Sequence, residues 1–162
     1  IIEEVMKAGL QVATDPEVWP KLVGKNYIGL VVSAMKTERD DTFLQQPACQ
    51  NLELFAKNPP HRTKAVKAGA IAAALDVIDN FDKNDAKSQV SIDVVHKTFQ
   101  GRYHPDLVCM DALSALAADP LAKAKLVEAK ALDVLQRAVA KRPYDGTIRR
   151  DIETVEGVMT AE

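Results

Sequence analysis

The chain is poor in aromatic residues and contains only two cysteines. Aromatic side chains make up 5% of its 162 residues, and the cysteines are Cys49 and Cys109. A shortage of aromatic residues disfavours a sheet or sandwich and favours closely packed helices. Two cysteines without metal-ligand spacing are too few for a disulfide scaffold, so both are expected to be free thiols in the core.

Neither sign of charge is in clear excess, and long apolar runs are missing. Lys and Arg number 21 and Asp and Glu number 23, which gives a net charge of −2. Strong attraction to nucleic acid or to an anionic membrane is therefore not expected. No apolar run is long enough for a membrane-spanning helix, so membrane insertion is not expected either. The opening Ile1-Ile2-Glu3-Glu4 has no basic region, so no signal peptide is predicted and a cytoplasmic location is the default expectation.

Apolar residues are present at helical spacing, which predicts an all-α fold. Spacings of three and four predict helices over Thr42–Ala56, Arg62–Ala68, Ala70–Phe81 and Gly146–Ala161. Pro47 predicts that the first of these begins near Gln46 or is kinked there. No alternating strand pattern occurs. The length and hydrophobic content fit a single helical domain over residues 1–162.

Three Asx-Pro pairs, each after a helical pattern, indicate an internal repeat. The pairs are Asp15-Pro16, Asn58-Pro59 and Asp119-Pro120, and they follow one another at steps of about 43 and about 61 residues. Two sets of residues keep the same offsets from these pairs and are expected to occupy equivalent inward positions. They are Gly9, Leu52 and Leu113, and Val23, Val66 and Val127. Because the second step is the longer one, an insertion of about 18 residues is predicted within 82–105.

This pattern resembles the armadillo repeat family. One segment is close to the opening of that family's medium helix, namely Lys67-Ala68-Gly69-Ala70-Ile71. Asn26 and Lys130 stand at the position of Gly69 in the other two copies. The resemblance implies a right-handed armadillo-like α-solenoid of about three repeats with a partial fourth. It also implies a non-enzymatic scaffold, or a subunit of a larger assembly, that binds partner proteins in a concave groove or at its ends.

The resemblance also selects candidate groove residues. Armadillo proteins that read basic peptides carry a Trp on each long helix and an Asn four residues later. The aligned positions hold neither residue type, so that specific function is not implied. The groove candidates at these positions are Lys7, Gln11, Gln50, Leu54, Asp111, Ala115 and Glu153. A ligand of the groove is expected to be a polar or charged segment that the groove contacts unevenly. The alternative is that the groove is unused and that the ends of the solenoid bind the partner.

The outermost helices have no neighbouring unit in this pattern. Repeat units cannot bury their faces alone, so further repeats or subunits are expected to cover some of the apolar surface at both ends. The apolar residues concerned are Val5, Val12, Ile152, Val155 and Met159. The competing hypothesis is that the insertion folds back as a cap.

No catalytic, cofactor or metal site is predicted. His61, His96 and His104 lack the spacing of metal ligands. Asp76, Asp79 and Asp82 share a helix face, which predicts a solvated acidic surface. The alternative function is a small helical domain with enzymatic or cofactor-binding activity, which requires a pocket that holds two or more of these polar residues. Trp19 is expected to fill the core between units rather than to anchor a partner.

Overall fold

The computed structural model describes residues 1–80, 104–141, 144 and 146–162. Within these ranges every regular element is an α-helix, which confirms the all-α fold class. The ten helices are α1 Ile2–Val12, α2 Val18–Gly24, α3 Tyr27–Thr37, α4 Thr42–Lys57, α5 Pro59–Ala68, α6 Ala70–Asn80, α7 Pro105–Leu116, α8 Ala122–Glu128, α9 Ala131–Lys141 and α10 Gly146–Thr160. The predicted insertion lies almost entirely outside the described residues.

The helices contact one another in two series. Helices α1, α4, α7 and α10 are in contact in that order, and α3, α6 and α9 are in contact in that order. The two series meet where α3 packs on α4 and α6 packs on α7. Helices α1–α3, α4–α6 and α7–α9 are called here the first, second and third trio.

Each Asx-Pro pair lies at the start of the short helix of its trio or just before it. The side-chain oxygens of Asp15, Asn58 and Asp119 accept hydrogen bonds from backbone amides two or three residues later, at 2.8, 3.1 and 2.9 Å. Asn58 is the N-cap of α5, whereas the N-cap residues of α2 and α8 are Glu17 and Leu121, without a side-chain cap hydrogen bond. The three pairs thus share a local hydrogen bond from backbone to side chain, and Asn58 alone among them caps its helix.

The corner after each short helix is also repeated. Asn26, Gly69 and Lys130 immediately precede α3, α6 and α9, and their φ angles are 65°, 96° and 53°. The left-handed conformation suits glycine, is tolerated by asparagine and is unfavourable for lysine. The three aligned positions share one backbone conformation although only one of them is glycine.

The first set of aligned residues is buried as expected, but one member of the second set is not. Gly9, Leu52 and Leu113 are all buried, on α1, α4 and α7. Val127, in contrast, is 56% exposed, and its neighbour Leu126 is fully buried. Val23 and Val66, the other two members of the set, are buried on α2 and α5. Since one residue rotates a helix by about 100°, the burial of Leu126 in place of Val127 is a shift of one residue in the register of α8.

Helix α4 spans Thr42–Lys57, which confirms the predicted helix over Thr42–Ala56 and excludes the alternative of a start near Gln46; the alternative of a kink there stays a prediction. Asp41 caps it by accepting hydrogen bonds from two backbone amides at 3.0 and 3.2 Å. Pro47 lies inside the helix. The missing N–H of Pro47 removes one hydrogen bond of the helical ladder there.

The prediction of free cysteines was also wrong. Cys49 on α4 and Cys109 on α7 form a disulfide, with their Cα atoms 5.0 Å apart. Both residues are fully buried, as predicted. They are 60 residues apart in the chain, and they meet because α4 packs on α7. Spacing along the sequence does not reveal such a contact.

Candidate functional site

The groove candidates lie on α1, α4, α7 and α10, which contact one another in series. Lys7 and Glu153, on the outer helices, are exposed, whereas Gln50 and Asp111, on the inner helices, are half-buried. The four positions are equivalent in the alignment of the trios. The structure therefore places them on four consecutive neighbouring helices.

The second set of groove candidates follows the first by four residues. Gln11 is exposed on α1, and Leu54 and Ala115 are half-buried on α4 and α7. Residues four apart lie on the same helix face. The centre of this surface is thus less polar than its two ends. The surface formed by both sets of residues is called the candidate groove.

The charges of the candidate groove are partly compensated. Lys7 forms an ion pair with Glu3, one turn earlier, and this hydrogen bond raises the pKa of the Lys7 ammonium. At the other end, Glu153 has the exposed Arg150 one turn before it on α10. Both ends of the candidate groove therefore carry positive and negative side chains. Its charge does not simply change from basic to acidic along the series of helices.

A cleft of about 310 Å³ lies between α6 and α9. Its polar lining consists of Asp76, Asp79, Lys130, Asp133 and Arg137. A pocket with several polar residues is what the enzymatic alternative requires. The state of its carboxylates therefore decides what chemistry the cleft can support.

Two of these carboxylates are held by bidentate ion pairs. Arg39 donates to both oxygens of Asp76, at 2.6 and 2.7 Å, and Arg137 donates to both oxygens of Asp79, at 2.9 and 3.0 Å. The hydrogen bond from Arg137 is the main reason why the pKa of Asp79 is lowered. A carboxylate held ionised in this way, as that of Asp79 is, is a poor general acid.

Asp76 and Asp79 keep 36% and 31% of their side-chain surface exposed, as a solvated acidic face predicts, but each is also paired with an arginine. Asp76 ties α6 to the segment after α3, and Asp79 ties α6 to α9. Their arginine partners are 37 and 58 residues away in sequence, so helical spacing alone did not reveal them. Asp82 lies outside the described residues.

Sequence reasoning missed a buried polar network between the first two trios. Asn51 is fully buried on α4, where its amide nitrogen donates to the carbonyls of Met6 and Pro47 at 3.2 and 2.8 Å. Its amide oxygen accepts a hydrogen bond from the Tyr27 hydroxyl at 2.9 Å. Burial raises the pKa of Tyr27 to about 12. These partners are protein groups, so the network is structural; a polar residue within an apolar helix face was the available signal.

Trp19 packs into the same region, as predicted. Its ring stacks on Phe55, with 5.7 Å between the ring centroids, and meets the edge of Tyr27 at 6.0 Å. The side chain is partly buried against the core. It therefore joins α2, α3 and α4.

The apolar residues at the two ends differ in exposure. On α1, Val5 is 39% exposed and Val12 is half-buried. On α10, Ile152 and Val155 are buried by the chain itself, and Met159 is half-buried. The expectation that Ile152 and Val155 need a cover from outside was wrong, because α7 and α8 already pack on α10.

The described residues contain no cluster of His, Cys, Asp and Glu side chains that could hold a metal ion. His61 is half-buried, and burial lowers the pKa of its imidazole. His96 lies outside the described ranges. Among the ten helices, none has both the length and the apolar character needed to cross a bilayer.

Comparison of the chain with protein-family models, curated proteins and solved structures gave no match.

Proposed function

We propose that the chain is a non-enzymatic, armadillo-like scaffold that binds a segment of a partner protein along the candidate groove. The proposed fold is a right-handed solenoid of about three repeats with a partial fourth. Armadillo-like repeats present side chains at regular spacing on a rigid curved surface, which suits an extended polypeptide.

Three repeated features support this assignment. The helices contact one another in two series, an Asx-Pro pair with a side-chain-to-backbone hydrogen bond lies at or just before the start of each short helix, and each trio turns through a left-handed residue. The last feature is the most specific, because Lys130 adopts a conformation that lysine rarely adopts. Helix packing that imposes this conformation on a lysine at the aligned position is typical of a true repeat.

The observation that carries the function is the placement of the candidate groove on α1, α4, α7 and α10. Gln50 offers an amide at its centre, Asp111 lies at the equivalent position of α7, and Leu54 and Ala115 lie one turn further along. A side-chain amide can both donate to and accept from the backbone of an extended chain.

The alternative is enzymatic or cofactor-binding activity in the cleft between α6 and α9. The cleft gathers Asp76, Asp79 and Asp133 with two basic side chains, which is the observation that favours it. The ion pairs of Asp76 and Asp79 with arginine argue against acid–base chemistry there. We therefore rank this function second.

The proposal can be tested by selecting ligands from a random peptide library displayed on phage against the intact chain. Selected peptides are then titrated by fluorescence polarisation against the wild type and the groove variants Gln50→Arg and Glu153→Arg. Asp133→Arg is the matched control, because Asp133 is exposed on α9, away from the candidate groove.

We expect peptides whose affinity falls at least about tenfold in the groove variants and is unchanged in the control. Peptides that lose affinity only with Asp133→Arg would place binding in the cleft instead. Failure to select any peptide, or equal binding to all variants, would contradict the proposal.

A further inference from the structure

The connection from α6 to α7 joins the second trio to the third. It is much longer than the connection before the second trio and the connection after the third. Residues 38–41 join α3 to α4, and residues 142–145 join α9 to α10. By contrast, the whole of the segment 81–104 separates α6 from α7.

The disulfide lies at this same junction. Cys49 belongs to the second trio and Cys109 to the third, and the bond joins α4 to α7. The chain has 2 cysteines, so no other junction can carry such a bond. The covalent link is thus found where two described helices that follow one another are furthest apart in sequence.

Polar ties between described residues cross the same junction at two places. The Thr63 hydroxyl donates to the Asp119 carboxylate at 2.6 Å and Arg62 lies 4.0 Å from it, which links α5 to the start of α8. Asp79 pairs with Arg137, and its carbonyl accepts a hydrogen bond from Lys141 at 2.8 Å, which links α6 to α9; the Arg137 side chain is 52% exposed. An exposed ion pair contributes little to stability, so the covalent bond between α4 and α7 is the strongest tie at this junction.

We propose that the bond between Cys49 and Cys109 is a redox-dependent lock on the junction between the second and third trios. When the bond is formed, α4 and α7 cannot separate. When it is reduced, the packing of the two helices and these polar ties hold the junction alone, and the trios open more often. This proposal concerns the fold and does not depend on the identity of a groove ligand.

A small disulfide such as oxidised glutathione supplies the oxidant. The thiolate of one cysteine attacks a glutathione sulfur and releases one glutathione thiolate. The second cysteine thiolate then attacks the protein sulfur of the mixed disulfide and releases the second glutathione. Two electrons pass from the cysteines to glutathione, and the released thiolates take up the two protons.

Burial controls when this exchange can occur. Both cysteines are fully buried, so a reagent reaches them only when α4 and α7 have separated. The bond should therefore resist reduction in the folded protein. The reduced form is best prepared by reduction in urea, followed by refolding with reductant present.

The test compares hydrogen exchange of the oxidised and reduced full chain by mass spectrometry. The oxidised sample is refolded in a glutathione redox buffer, and its intact mass should be lower by two hydrogens. Amides of α4 and α7 should exchange at least about tenfold faster in the reduced sample. The double variant Cys49→Ala/Cys109→Ala should exchange at one rate in both buffers, which controls for direct effects of the reductant.

Two outcomes would overturn the proposal. One is that the refolded protein keeps its full reduced mass and both cysteines react with iodoacetamide after denaturation in urea. The other is that the bond forms but α4 and α7 exchange at equal rates in the two redox states.

Discussion

Lys130 adopts the same left-handed backbone conformation as Gly69, at the same position in the next trio. Their φ angles are 53° and 96°. Each residue lies between a short helix and the helix that follows, so the corner has the same shape in both trios. At Gly69 the conformation costs nothing in side-chain sterics, whereas at Lys130 the packing of the adjacent helices must impose it.

Replacing Lys130 with Gly should therefore stabilise the protein. We expect a gain of about 1 kcal/mol in the free energy of unfolding, because glycine removes the steric cost of the left-handed conformation. Urea denaturation followed by circular dichroism measures the change. Ala124→Gly, at an exposed position within α8, is the control and should destabilise by about 0.5–1 kcal/mol. Equal destabilisation by both substitutions would show that Lys130 is not strained.

Gly9 should not tolerate a side chain. A Cβ atom added to Gly9 would lie 2.0 Å from the Tyr27 hydroxyl oxygen and 2.6 Å from the ring carbon that bears it. Tyr27 is held by edge-to-face contacts with Trp19 and Phe55 and by its hydrogen bond to Asn51, so it cannot move away freely. We expect Gly9→Ala to cost about 1–3 kcal/mol in unfolding free energy.

A double-mutant cycle tests the cause of that cost. Tyr27→Phe removes the hydroxyl oxygen and, on its own, destabilises by breaking the hydrogen bond to Asn51. If the hydroxyl is the obstacle, the combined variant should be less destabilised than the sum of the two single variants. Additive costs would mean that some other contact excludes a side chain at Gly9.

The ion pair of Asp79 with Arg137 should make the stability of the protein depend on pH in the acidic range. The folded-state pKa of Asp79 is lowered, chiefly by the hydrogen bond from Arg137. The pair therefore stabilises the fold above the unfolded-state carboxyl pKa of about 3.9, and this stability is lost as the pH falls through the lower folded-state pKa. Asp79→Asn should cost at most about 1 kcal/mol at pH 7, because the pair is exposed.

Urea denaturation of the wild type and of Asp79→Asn between about pH 2 and 7 checks this sign. The difference in stability between the two proteins should shrink as the pH falls below about 4, and added salt should reduce it at pH 7. A difference that is constant with pH would mean that Asp79 acts through packing and not through its charge.

Local features of this fold could be predicted from the sequence, and contacts between distant segments could not. The hydrogen-bonded turns at Asp15, Asn58 and Asp119 and the corner at Gly69 depend on neighbouring residues, so the pattern of residue types revealed them. The disulfide and the partners of Asp76 depend on which helices face each other. That choice is set by the packing of the whole core, and a single sequence does not display it.

The candidate groove illustrates the same limit. The repeat placed Lys7, Gln50, Asp111 and Glu153 at equivalent positions, and they do lie on helices that contact one another in order. The ion pair of Lys7 with Glu3 could have been found from their spacing of four residues. The cleft between α6 and α9 could not have been found from the sequence, because its walls come from residues 72–79 and 129–137, which belong to different trios.

Leu126 and Val127 provide the sharpest test of the third trio. The sequence repeat predicted that Val127 would be buried, whereas in the structure Val127 is 56% exposed and Leu126 is fully buried. Leu126→Ala should therefore cost about 2–5 kcal/mol in unfolding free energy, because it leaves a cavity in the core. Val127→Ala should change the unfolding free energy by less than about 0.5 kcal/mol. Urea denaturation of both variants decides between the two registers. A large loss of unfolding free energy for Val127→Ala and a small loss for Leu126→Ala would mean that α8 is rotated and that the repeat register holds at this helix.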